Sequence, residues 1–128
     1  VLKEPELFSY LKEFYFDDLE MSTDKYSKHD CTSEFFRLYI ELKSRNTHYD
    51  DLLIEEIKYN AIREQAEKLG YLPMYVNSTP EGIWAFDLSR VPEPSWSERR
   101  MPATTEFTDT RKIMKLVGFL HLDYGLPL

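Results

Sequence analysis

The sequence predicts an α/β protein built on a small mixed sheet flanked by helices. Three stretches carry that expectation. Residues 35–42 (FFRLYIEL) are short, apolar and rich in aromatics. Residues 51–69 run with helical spacing up to Gly70, and residues 71–77 and 83–88 are strand-like segments on either side of a turn.

Taken in order, residues 5–14 (PELFSYLKEF) predict a short helix, since Leu7, Phe8, Leu11 and Phe14 recur at helical spacing and Pro5 is tolerated in a first turn. Residues 15–34 are mixed and polar and predict one or two short strands. Residues 35–42 predict the clearest strand, too short for an ordinary helix. The loop SRNTHYDD follows, with Asp50 or Asp51 as the expected cap of a helix over 51–69. Its apolar face would carry Leu53, Ile57, Ala61, Ile62, Ala66 and Leu69, and Gly70 would end it. The strand pair 71–77 and 83–88 is joined by Ser-Thr-Pro-Glu-Gly, a turn composition. The proline-rich stretch 91–106 predicts an extended surface loop. Residues 112–122 (KIMKLVGFLHL) suit a strand or a helix equally by length.

The 128 residues are expected to form a single domain, with a core over about 5–90 and a C-terminal extension over 91–128. Hydrophobic residues make up 42% and aromatics 15%, a composition that supports a folded core and argues against disorder. No apolar run approaches membrane-span length, so no membrane association is expected. The opening VLKEPELF has no basic flank followed by an apolar stretch, and no signal peptide is expected. The lone Cys31 excludes an internal disulfide, which suits a cytoplasmic location. The net charge of −7 counts against a protein that wraps a polyanion by bulk attraction. It leaves room for a site that holds divalent cations, which needs carboxylates. The acidity is uneven. Residues 1–70 hold 16 acidic and 10 basic side chains, whereas 71–128 hold 7 and 6, so a cationic surface is expected with the C-terminal half.

The chemistry is concentrated between Asp30 and Arg45 (DCTSEFFRLYIELKSR). Side chains alternate faces along a strand, so Glu41 and Lys43 leave one face roughly 7 Å apart. Arg37 and Tyr39 share that face, a polar edge ending at a loop. Phe36, Leu38, Ile40 and Leu42 share the other, expected to be the buried one. Phosphodiester hydrolysis needs an activated water and a stabilised anionic transition state. A hard cation such as Mg²⁺ prefers carboxylate oxygens and keeps several waters. Asp30 from a neighbouring strand and Glu41 can hold it, the Leu42 backbone carbonyl can add an oxygen, and the Lys43 ammonium can sit by the water.

An acidic residue, about ten residues of strand-forming sequence, Glu-X-Lys at the end of an apolar strand and then a helix resembles the PD-(D/E)XK nuclease superfamily. The motif stands here as Asp30 followed by Glu41-Leu42-Lys43, with His29 where the superfamily often has proline. The resemblance implies a restriction-endonuclease-like αβββαβ core, of a small phage-type or Holliday-junction-resolvase-like kind. It implies Mg²⁺ or Mn²⁺ bound by Asp30 and Glu41, Lys43 supporting the attacking water, and DNA as substrate. It also implies a glutamate from the first helix, Glu6 or Glu13, and a polar residue from the second, Lys58 or Gln65, which are seven apart on one face. A homodimer and a viral source are compatible with such small nucleases.

Other residues keep two readings each. Asp24 is a rival to Asp30 for the metal. Arg45 either clamps a phosphate or is an ordinary surface residue. His29 and His48 are candidate auxiliary bases. Arg99 and Arg100, beside Glu98 and Trp96, suit nucleic-acid contact by charge and stacking, or an ordinary loop. Three scattered histidines and one cysteine give no zinc spacing. Neither a glycine-rich phosphate loop nor a G-x-S-x-G motif is present. The alternative to a nuclease is a non-catalytic domain of the same fold that binds nucleic acid or a protein.

Overall fold

The structure, a computed structural model, describes residues 1–23, 29–104 and 108–128. Helix α1 (Glu4–Phe14) is followed by strands β1 (Glu20–Met21), β2 (Asp30–Ser33), β3 (Leu38–Ser44) and β4 (Asp51–Glu55). Helix α2 (Glu56–Leu69) leads to β5 (Leu72–Thr79), β6 (Gly82–Asp87), β7 (Ser97–Pro102), β8 (Lys112–His121), a short 3₁₀ turn (Leu122–Tyr124) and β9 (Leu126–Pro127). The main sheet has the order β1-β2-β3-β5-β6-β9. In it β3 and β5 run parallel, and the other pairings are antiparallel. A second sheet, β4-β8-β7, is antiparallel throughout. Leaving β4 aside, α1-β1-β2-β3-α2-β5 is the expected αβββαβ order, and the parallel β3–β5 pair is joined through α2, as a parallel crossover requires.

The two faces of the main sheet are both covered. Leu7 and Leu11 of α1 pack on Leu38, Ile40, Leu42, Val76 and Ala85. Tyr59, Ile62 and Ala66 of α2 pack on Tyr39, Tyr75 and Phe86, together with Leu52, Ile54 and Leu120 of the second sheet. Leu38, Ile40 and Leu42 are therefore buried as expected, whereas Phe36, expected on the same face, lies in the turn before β3 and is 45% exposed. The odd residues of β3 do not form an open polar edge, because α2 lies over them and Tyr39 is only 8% exposed.

Three segments differ from the sequence reading. Residues 34–37 form a turn, so the strand begins at Leu38. Arg37 there has φ 55°, in the left-handed region, and Asp18 accepts hydrogen bonds from the Ser33 hydroxyl (2.6 Å) and the Phe35 N–H (2.9 Å). Those bonds hold the Asp18 carboxyl below its ordinary pKa. Residues 51–55 form a strand where a helix was expected, and α2 starts at Glu56 with no side-chain cap from Asp50 or Asp51. The alternation of Leu52 and Ile54, both buried, has the strand period, and β8 supplies the partner. With its start moved, α2 leaves Ile57 77% exposed and Leu69 49% exposed, and Tyr59 takes the inner position. The helix still ends at Gly70, which adopts φ 72°. Finally, the proline-rich segment is not all loop. Its residues 97–102 pair with β8 as an edge strand, where a terminal proline removes no ladder bond that the sheet needs.

The segment before β7 folds back onto β8 at Gly118. A Cβ there would lie 2.4 Å from Pro94 Cβ and 3.0 Å from the Trp96 ring, so only glycine admits this approach. Trp96 also meets Tyr59 edge-on at 5.3 Å, tying the second sheet to α2.

Candidate active site

Strand register brings the sequence candidates together. Asp30 of β2 and Glu41 of β3 are direct cross-strand partners, which puts their Cβ atoms about 5 Å apart on one face. Alternation places Tyr39 and Lys43 on that same face. Asp30 is 6% exposed and Glu41 7%. Two adjacent carboxylates this deeply placed repel each other unless protons, donors or cations offset the charge. The Tyr39 hydroxyl donates to Asp30, and Lys58 of α2 puts its Nζ 3.0 Å from Glu41 Oε1. The Leu42 N–H donates to the His29 carbonyl at 2.9 Å. The Leu42 carbonyl points to the same side of the strand, toward β2.

Glu41, Leu42, Lys43 and Lys58 open onto a groove of about 1480 Å³ between the C-terminal end of β3 and the second sheet, whereas Asp30 and Tyr39 are not among its lining residues. Glu41, Leu42, Lys43 and Lys58 line one side, and Leu53, Glu55, Arg99, Met101, Lys115 and Phe119 line the other. His29 lines it too. Burial, and then the nearby charge of Arg45, lower the pKa of Lys43, while Glu4 and Glu55 partly restore it. With its folded pKa below its unfolded value, Lys43 costs stability while both states are protonated, and that cost is relieved as pH rises from the lowered pKa toward 10.5. Lys43→Met should therefore be more stable than the parent at neutral pH, with the difference shrinking in alkali. Urea denaturation of both proteins across that range checks it; a difference independent of pH would contradict the burial of a charged Lys43.

The remaining candidates are dispersed. Glu6 and Glu13 border a separate shallow groove with Leu2, Pro5, Tyr10 and Phe14. The first-helix glutamate on the active groove is Glu4, which sequence reasoning missed. Its spacing from Leu7 and Leu11 (i, i+3, i+7) would have found it, since those leucines mark the inward face. Lys58 reaches Glu41, but Gln65, two turns further along α2, is exposed and does not line the groove. Arg45 lines the groove yet is tied down: its Nε donates to Asn77 Oδ1 (2.8 Å), and its Nη2 to the Leu53 carbonyl and the Tyr75 hydroxyl (3.1 Å). His48 lies on the β5–β6 turn, its Nδ1 3.0 Å from Thr79 Oγ1. Arg99 and Arg100 leave opposite faces of β7, and of the two only Arg99 faces the groove. Asp24 lies outside the described residues. Cys31 is buried, and burial, reinforced by the Asp30 charge, pushes its thiol up to about 12, so it offers no thiolate.

The chain has the restriction-endonuclease-like fold, the class expected from the motif. Among solved structures it is similar to Archaeoglobus fulgidus Hjc, a Holliday junction resolvase from an archaeal hyperthermophile, with a TM-score of 0.59. The match is 14% identical in sequence and covers 98% of this chain and 88% of that one. No protein-family model matches the chain, and no curated protein matches it. Among the described residues, no helix is long and apolar enough to cross a membrane.

Proposed function

We propose that the protein is a metal-dependent nuclease that hydrolyses phosphodiester bonds of DNA, with Asp30, Glu41 and Lys43 at its centre. The observation that carries this reading is the direct pairing of Asp30 with Glu41 on a fold shared with a Holliday junction resolvase, with Lys43 two residues on along the same face. The donor set fits Mg²⁺ or Mn²⁺: two carboxylates and the Leu42 carbonyl, with water completing the shell. Among the described residues no three His, Cys, Asp or Glu side chains converge as an all-protein cage, which such a hydrated ion does not need.

An ion held there lowers the pKa of water and offsets charge on the scissile phosphate when bound. The chain's own groups do the rest. Glu41 and Asp30 would hold such an ion from two neighbouring strands, which are more rigid supports than loops. Lys43, desolvated and with a lowered pKa, holds the attacking water by Nζ and can exchange a proton with it. The Tyr39 hydroxyl orients the Asp30 carboxylate. Lys58 occupies a Glu41 oxygen and is half-exposed, so it can release that oxygen and swing its ammonium to a phosphate.

The Glu41–Lys58 contact also favours a second reading, in which a lysine has replaced the metal and the domain only binds. One experiment separates the two. In the nuclease reading, calorimetry detects a Mn²⁺ site that Asp30→Asn abolishes, and labelled DNA is cut with Mg²⁺ or Mn²⁺ by the parent alone. Absence of a Mn²⁺ site together with absence of cleavage selects the binding domain.

A further inference from the structure

We infer that the groove wall formed by β7 and β8 is a stacking platform for an unpaired nucleic-acid strand, with the Phe119 ring and the Arg99 guanidinium as its seat. The inference rests on the nuclease reading of the opposite wall and names the substrate class of that site. Phe119 lies within β8, opposite Leu53 of β4, yet it is 41% exposed because its face of the sheet looks into the groove. Alternate residues share that face: Arg99 pairs with Lys115, Met101 with Ile113, and Leu53 with Phe119. Arg99 Cζ lies 5.2 Å from the Phe119 ring centroid, so a planar cation is already laid on the ring. Tyr49, 62% exposed, lines the same groove.

Bases freed from a duplex stack on aromatic rings and on guanidinium planes. A paired base has both faces covered by its neighbours and offers none to Phe119. With bases against this wall, the strand's phosphates face Lys43 and Lys58 across the groove, beside Glu41. Trp96, the aromatic that its neighbours in sequence suggested for stacking, is spent elsewhere, against Tyr59 and over Gly118.

The test measures fluorescence anisotropy of a labelled oligo-dT of about fifteen nucleotides in a chelating buffer, so that binding is read without metal or cleavage. Parent, Phe119→Ala, Phe119→Trp and Arg99→Ala proteins are compared, with oligo-U and a duplex of equal length as further ligands, and circular dichroism reports the fold. The expected result is tighter binding of oligo-dT than of duplex, about tenfold weaker in Phe119→Ala and kept in Phe119→Trp. Oligo-U binding that depends on Phe119 extends the platform to RNA strands. Equal affinity of the parent and a folded Phe119→Ala, or tighter binding of the duplex, overturns the inference. A protein that binds oligo-dT through Phe119 but cuts nothing with Mg²⁺ or Mn²⁺ keeps the platform and removes the nuclease reading. Metal-dependent cutting without Phe119-dependent binding does the reverse.

Discussion

Glu41→Gln is expected to reduce phosphodiester cleavage by about 10²–10³-fold or more, with the fold intact. Glutamine keeps the shape of the buried side chain but removes the charge through which Glu41 would hold a divalent ion. Its effect on folding is small for a separate reason. Lys58, the ammonium at 3.0 Å, is 49% exposed and regains water when its partner is lost, so stability should stay within about 1 kcal/mol of the parent. Cleavage of labelled DNA, Mn²⁺ calorimetry and urea denaturation on the same preparation separate the two roles. A Glu41→Gln protein that still cuts at the parental rate would reduce Glu41 to one half of a structural ion pair and remove the metal site from this position.

Arg45→Met should cost about 3–5 kcal/mol of stability, the largest folding effect expected of a single charged residue here. The side chain joins β5, through Asn77 and Tyr75, to β4, through the Leu53 carbonyl, from a position directly after β3. Asn77 is fully buried, and its Nδ2 already lacks a partner among the described residues. Loss of Arg45 strands its Oδ1 as well, and a buried polar atom without a partner costs about 1–3 kcal/mol. The Tyr75 hydroxyl, whose pKa burial raises, loses the cation that opposes that rise. Arg45→Lys should recover little, because one ammonium cannot span the acceptors a guanidinium fork reaches. The urea midpoint decides. An unchanged midpoint with weakened nucleic-acid binding would return Arg45 to the role of phosphate clamp.

The groove explains why the fold was more legible in the sequence than the site. Helix α1, the end of α2 at Gly70 and the pair β5–β6 could each be read from a few neighbouring residues, since capping, turn chemistry and spacing are local. The same locality misled over 51–55. There Leu52 and Ile54 carry a strand period inside a stretch whose helical spacing continues beyond it, and the partner that selects the strand, β8, lies more than sixty residues away. Residues 97–102 were hidden for the same reason: nothing within them announces a partner. In the site, the Glu41–Lys43 alternation was legible, but the facing of Asp30 and Glu41 depends on the turn at residues 34–37, held by Asp18 from an earlier segment.

The sequence by itself determined the order helix, strands, helix, strand pair, the inward face of β3 and the presence of an acid, an acid and an amine near one strand end. Only the tertiary structure decided that Arg45 is a brace between the sheets and that Arg99 and Arg100 part to opposite faces. The physical reason is range. Backbone periodicity acts between residues a few positions apart, whereas a groove is made by strands that meet only when distant parts of the chain exchange hydrogen bonds.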